Sequence, residues 1–145
     1  MRRELKFKTF DDARAELSRL GNSPVATTGS WSYFQILTHL AKAIEGSMKG
    51  VKREMPWLKK YVLGPLAFQG MWVMGSIPIG IKGPPSDRVE GDEKEALAQL
   101  LKAMGDFEKH EGPLSEHPKV GRLNKVNWTR FHTLHIANHL GYTKE

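Results

Sequence analysis

Three histidines near the carboxyl-terminal end of the sequence have a spacing that suits metal coordination. The segment "WTRFHTLHIANHLGY", residues 128–142, contains His132, His135 and His139. On a helix these three residues share a face with Trp128, because positions separated by four or seven residues align. His135 and His139 are one turn apart, a separation at which two imidazoles can bind one ion, as in helical zinc motifs. Two ligands do not make a site, so a third must come from elsewhere in the chain.

His39 is the best candidate for the third ligand, because it is the other histidine inside a predicted helix. Its side of that helix carries small or polar residues that we interpret as a cavity wall: Ser32, Gln35, Ala43 and Gly46. An exposed His39 would fit the same spacing. The cluster at His135 and His139 also has alternatives, namely core packing, a homodimer seam or a pH switch, since imidazoles titrate near neutrality. His110 and His117 flank a loop and are predicted to cap the loop or a helix end.

The elements that position these histidines are predicted to be four helices. The first helix has four apolar residues on one face: Phe10, Ala13, Leu17 and Leu20. The second starts at Ser30 or Trp31 and ends near Gly50, and the fourth runs from Asn124 or Asn127 to Leu140. The third covers 92–110, and its predicted buried residues are Leu97, Leu100, Leu101, Met104 and Phe107. No run alternates apolar and polar residues as a strand would. We therefore predict an all-α fold, a four-helix bundle with a long crossover between helices 2 and 3.

The crossover, residues 51–91, contains a short candidate helix at 56–69 and an irregular Gly- and Pro-rich segment at 76–87. About 40 residues is far more than the 2 to 8 that usually connect helices. Its large apolar side chains either shape a pocket or complete the core: Trp57, Tyr61, Phe68, Met71, Trp72 and Met74.

Length and composition restrict the chemistry. The 145 residues fit one domain, 1–145, and contain no cysteine. Disulfides, a thiolate nucleophile, zinc fingers and iron–sulfur clusters are thereby excluded, and any metal must be held by imidazole or oxygen. No apolar window approaches the roughly 20 residues that span a bilayer. Charged residues at 6, 8, 11 and 12 interrupt the apolar run that a signal peptide needs, so we predict a cytoplasmic protein with no membrane partner.

The net charge of +6 allows a second hypothesis for the function of the protein. Basic and aromatic residues interleave at the start of the crossover: Lys49, Lys52, Arg53, Trp57, Lys59, Lys60 and Tyr61. Such a cluster could contact phosphates and stack on bases, which would make the protein a non-catalytic module that binds an anion or nucleic acid. Most basic clusters are solvated faces, and nucleic acid is not the partner we expect.

Three motifs together resemble a known group of proteins. They are "WSYFQILTHL" at 31–40, "IPIGIKGP" at 77–84 and "HPKVGRLNKVNWTRFHTLHIANHLGY" at 117–142. The chain resembles the DinB/YfiT-like superfamily of metalloenzymes, and more closely a branch of unknown function. In that branch, histidines seven and eleven residues after the Trp are ligands, together with one on helix 2. The resemblance implies a metal site at His39, His135 and His139.

This sequence departs from the branch at two positions. Val120 stands where an aromatic residue is usual, and Asn138 where many relatives have another histidine. His132 matches no ligand position, and the alternative for it is a neighbour that contacts the ligands rather than the metal. No general base is obvious near these histidines. Helix 4 contains no acidic residue, and Glu45 and Asp106 on other helices are predicted to lie on solvated faces.

Three neutral imidazoles leave a coordination position open, which is the catalytic pattern of metal sites. Zinc, nickel or ferrous iron would accept this donor set. The implied protein is a metal-dependent hydrolase or a thiol-dependent transferase that acts on a small molecule, with a low-molecular-weight thiol among the candidate partners.

Overall fold

The computed structural model describes residues 3–21, 25–75, 77 and 91–144. Within them the fold is all-helical, with five α-helices: α1 Phe10–Leu20, α2 Tyr33–Ser47, α3 Gly64–Met74, α4 Glu93–Lys109 and α5 Lys125–Leu140. A π-helical turn, Lys59–Leu63, leads directly into α3. In these parts of the chain the extended pairings are two isolated bridges, Thr27 with Thr143 and His117 with Gly121. The predicted all-α class is confirmed for them.

Side-chain caps explain where the helices begin. Thr9 and Asp12 form a capping box at the start of α1, and Ser32 and Gln35 form another at α2. Because Ser32 is the cap, α2 begins at Tyr33, slightly later than its sequence pattern predicts. Asp92 and Asn124 cap α4 and α5, so those two predicted starts are close to the observed ones.

The core is centred on α2, which packs most extensively against α4 and also contacts α5. Helix α1 packs against both α4 and α5. All four residues predicted for the inner face of α1 are buried, as are Leu100, Met104 and Phe107 of α4. Leu97 is partly buried against the core, but Leu101 is 38% exposed, so its predicted burial is wrong. Because consecutive residues of a helix point in different directions, Leu100 on the inner face leaves the side chain of Leu101 directed toward the side of α4.

The crossover is more helical than its sequence predicts. The candidate helix at 56–69 becomes a π-helical turn followed by α3, which continues to Met74 and ends at Gly75 with a positive φ of 74°. Phe68 is fully buried, whereas Trp57 and Met74 are 68% and 75% exposed, so the apolar residues of the crossover serve the core only in part. Of the irregular segment 76–87, the structure describes only Ile77, which is buried. In the described parts of the chain, none of the helices combines the length and apolar character that crossing a bilayer requires.

Candidate metal site

Three imidazoles from two helices converge at one point. His39 lies on α2, and His135 and His139 lie on α5. Each offers one ring nitrogen, and the three nitrogens lie within 4.8 Å of one another. The Nε2 atom of His135 is 3.1 Å from Nε2 of His39 and 3.1 Å from Nε2 of His139. The structure therefore brings together all three residues that the sequence predicts as ligands, and they could hold a metal ion.

Hydrogen bonding between the rings alone accounts poorly for this arrangement. A ring nitrogen has one in-plane position, which carries either a proton or a lone pair, so His135 Nε2 can make one good hydrogen bond. It has two nitrogen neighbours at 3.1 Å, and the rings of His39 and His139 lie at 74° and 78° to its own. Two nitrogens 3.1 Å apart that each bond an ion at about 2.05 Å subtend an angle of roughly 100°, between the octahedral and tetrahedral values. The donor set thus fits a divalent transition metal.

Two aromatic rings hold the imidazoles in place. The indole of Trp31 stacks on His139, with ring centroids 5.3 Å apart and planes 5° from parallel, and its edge meets His39 at 4.9 Å. Phe131 stacks on His135 at 5.3 Å. Each α5 imidazole therefore has an aromatic face against it, which limits rotation of the ring and excludes water from that side.

The environment keeps at least one of these imidazoles neutral. Partial burial, together with the neighbouring histidines, holds the pKa of His135 well below its usual value of 6.5, because no opposite charge compensates an imidazolium at this position. A neutral imidazole is the form that binds metal. The carboxylates considered as general bases lie elsewhere: Glu45 accepts a hydrogen bond from Gln99, and Asp106 pairs with Lys102 on the exposed side of α4.

His132 faces the core rather than the three converging imidazoles. It is 1% exposed, and its Nε2 lies 2.9 Å from the hydroxyl of Ser47. That hydroxyl donates its proton to the carbonyl of Ile44, so His132 Nε2 must be the donor and Nδ1 keeps a lone pair. Nδ1 is buried and lacks a hydrogen-bond partner. His132 is thus a core histidine, packed on Phe107 and Trp128, and the ring of Phe131 contacts both it and His135.

His117 organises the loop before α5, as its predicted capping role requires. Its Nδ1 accepts hydrogen bonds from the backbone N–H groups of Lys119 and Val120, at 3.0 and 3.2 Å. Its ring also contacts that of Phe131, with ring centroids 4.6 Å apart, and Phe131 in turn stacks on His135. The loop thereby supports one wall of the site. His110 lies at the end of α4, with its Nε2 3.2 Å from the carbonyl of Pro113.

The stability of the protein is expected to fall as the pH drops from 7 to 5. Burial lowers the pKa of His117 to about 4 and that of His132 to about 3, so both stay neutral in the folded protein while the unfolded chain binds protons below pH 6.5. Each should remove roughly 2 kcal/mol of unfolding free energy in total between pH 7 and pH 5, with a slope that approaches about 1.4 kcal/mol per unit only below about pH 6. Urea denaturation with chelator present, at pH 7, 6 and 5, measures the slope.

The substitution His117→Asn provides the control for that slope. The amide oxygen of Asn can accept the same two backbone hydrogen bonds but does not titrate. The variant should be less stable at pH 7, because it loses the ring contacts, but the stability that it loses between pH 7 and pH 5 should be smaller by roughly 2 kcal/mol. An unchanged slope would contradict the buried, neutral state of His117.

The basic cluster of the crossover is partly directed toward the protein itself. Glu116 is 5% exposed and accepts hydrogen bonds from Lys60 Nζ at 3.0 Å and from the backbone N–H of Arg53 at 2.6 Å. The guanidinium of Arg53 also donates to the carbonyl of Glu116. Trp57 and Tyr61 lie with ring centroids 6.2 Å apart. Two of the five basic residues therefore bind Glu116: Lys60 through the carboxylate, and Arg53 through its guanidinium on the backbone carbonyl. The pKa of the Glu116 carboxyl is lowered chiefly by the backbone hydrogen bond from Arg53.

Sequence reasoning missed the roles of Trp31 and Glu116. Trp31 precedes His39 by eight residues, which is close to two helical turns, but it lies before the start of α2 and its direction could not be inferred from helical spacing. Glu116 lies beside the His-Pro pair of the loop, and nothing in its spacing marks a buried carboxylate. Among the residues that the structure describes, no second group of three potential metal ligands was found.

Five helices and a cluster of three imidazoles between α2 and α5 define a helical protein with a candidate metal site. The chain belongs to the family described as "Protein of unknown function (DUF1569)", whose model matches residues 1–145. Neither the comparison with curated proteins nor that with solved structures found a match. The predicted membership of a family of unknown function is confirmed, whereas the wider DinB/YfiT-like relationship stays a prediction.

Proposed function

We propose that this protein is a metal-dependent enzyme of the DinB/YfiT-like superfamily, with His39, His135 and His139 as ligands to a divalent ion. The observation that carries the proposal is the convergence of three Nε2 atoms, with His135 Nε2 at 3.1 Å from each of the other two. The proposed architecture is the four-helix bundle of that superfamily, formed by α1, α2, α4 and α5, with α3 as part of the crossover.

The donor set favours a catalytic role over a structural one. Three imidazoles from the protein leave at least one position for an external ligand, whereas structural sites are closed by four protein ligands. The ion, when bound, supplies Lewis-acid chemistry: it lowers the pKa of a coordinated water or thiol. Zinc, nickel and ferrous iron all suit imidazole donors. The reaction class we propose is hydrolysis or thiol-dependent transfer on a small molecule.

The protein's own residues would orient the site and control access to it. Trp31 and Phe131 fix the planes of His139 and His135, so that the nitrogens are preorganised for the ion. All three imidazoles are half-buried, so the site retains contact with solvent through which a substrate could enter. The chain has no cysteine, so a thiol that takes part in the reaction must be external.

Titration of the chelator-treated protein with Co²⁺ tests both parts of the proposal. We expect one ion per chain and the visible absorption bands of Co²⁺ in a site of low coordination number. Adding 2-mercaptoethanol then separates the two reactions, because thiolate coordination produces a sulfur-to-cobalt charge-transfer band and favours thiol-dependent transfer. Saturable Co²⁺ binding without that band favours hydrolysis. Absence of stoichiometric Co²⁺, Ni²⁺ and Zn²⁺ binding would overturn the metalloenzyme assignment.

A further inference from the structure

The π-helical turn and α3 expose an unusual amount of apolar surface. Residues 61–74 contain no charged side chain. The inner side of this segment is formed by Gly64 and Phe68, which are buried. On the other side, Leu66 is 66% exposed and Val73 is 84% exposed. A helix that is apolar on all sides is normally covered on all sides, and the parts of the chain that the structure describes cover α3 on one side.

The exposed residues form one continuous face. We define the outer face of α3 by Leu58, Val62, Leu66, Gly70 and Val73. Their spacing of four, four, four and three residues aligns them along one side of the helical segment, opposite Gly64 and Phe68. A Cβ atom added at Gly70 would meet no atom within 4 Å, so this position leaves an open depression in the face. A second helix could approach closely there.

The area matches what a stable protein interface buries. The exposed large apolar residues in and beside the outer face are Trp57, Leu58, Tyr61, Val62, Leu63, Leu66, Val73 and Met74. With a full area of roughly 150–250 Å² for a large side chain, the four in the outer face itself expose about 400 Å², and the four flanking ones bring the total to about 800 Å². A standard interface buries about 800 Å² per partner, and the largest apolar patch of a typical monomer is about 300–600 Å².

Two of the basic residues near the face are turned toward the protein itself. The nearby Lys60 and Arg53 are bound to Glu116, and are therefore directed toward the protein rather than toward an external anion. The outer face itself carries no charge, so two copies of it can meet across a two-fold axis without like-charge repulsion. From these observations we infer that the chain forms a homodimer through the outer face of α3, with the two α3 helices packed against each other.

This interface is distinct from the homodimer seam considered for the histidine face. His132 is in the core, and the other three imidazoles converge between α2 and α5, so they are not part of the outer face of α3. The dimer therefore does not depend on metal. Measuring it in chelator makes its failure distinguishable from failure of the proposed metal site.

Sedimentation velocity over a range of micromolar concentrations, in chelator, tests the dimer. We expect the wild type to be dimeric, and Leu66→Glu to weaken association at least about 100-fold, because each dimer would bury two carboxylates. Gly70→Leu should also dissociate the dimer, since the new side chain meets nothing in its own protomer but fills the depression. The matched control is Leu101→Glu on α4, at a position 38% exposed, which should remain dimeric.

Three outcomes would overturn the inference. The first is a wild type that sediments as a monomer at every concentration. Binding of that monomer to vesicles of phosphatidylglycerol and phosphatidylcholine would show that the face contacts lipid instead. The second is a dimer that persists in both Leu66→Glu and Gly70→Leu while circular dichroism shows native helix content. The third is equal dissociation of the Leu101→Glu control, which would mean that the outer face of α3 is not the contact.

Discussion

His135→Gln is expected to lower the affinity of the protein for Co²⁺ or Ni²⁺ by at least about 100-fold, and to leave little metal bound at one equivalent. His135 is the central one of the three proposed ligands, because its Nε2 is the atom within 3.1 Å of the Nε2 atoms of both His39 and His139. Its loss leaves two imidazoles that are held by different helices. Isothermal titration of chelator-treated protein, followed by elemental analysis after dialysis, measures the effect.

The matched control is His110→Gln, at the exposed end of α4, which should keep wild-type affinity and stoichiometry. His39→Gln should behave like His135→Gln, because His39 is the proposed third ligand and lies on α2. Urea denaturation in chelator checks that the loss of binding is not a loss of folding. Wild-type affinity in His135→Gln would refute the ligand assignment.

Gly64→Ala is expected to destabilise the folded protein by at least about 3 kcal/mol. A Cβ atom at this position would lie 2.2 Å from the carbonyl oxygen of Val120 and 2.6 Å from that of Lys59. Both are backbone atoms, so neither can turn aside as a flexible side chain would. The contact joins the start of α3 to the loop that His117 organises, and relieving it would require the two segments to separate. The midpoint of urea denaturation, compared with that of the wild type, measures the change.

Gly105→Ala is the control for this prediction, since it makes the same chemical change inside α4, away from the outer face of α3. A Cβ atom there meets nothing within 4 Å, and alanine favours the helix over glycine. The stability of this variant should therefore stay within about 1 kcal/mol of the wild type, with a shift toward higher stability. If Gly64→Ala proves as stable as Gly105→Ala, the close packing of α3 on the loop is contradicted.

Local signals in the sequence predict the helices well because those signals act within a few residues. The inner face of α1 follows from its apolar spacing, and the starts of α1, α4 and α5 follow from polar caps and acidic first turns. The pairing of His135 with His139 is likewise local, since one helical turn brings them together. The π-helical turn at Lys59–Leu63 and the length of α3 were not predicted, because this apolar segment has no periodicity that marks an inner face.

The sequence by itself determined the all-helical class, the placement of α1, α4 and α5, and the two imidazoles that share a turn of α5. The tertiary structure alone decided that His39 meets them, that Trp31 stacks on His139, and that His132 turns into the core beside Ser47. It also decided that Leu101 and the outer face of α3 are exposed. The physical reason is that helical periodicity orders side chains around one axis, whereas distances between helices depend on how their faces pack.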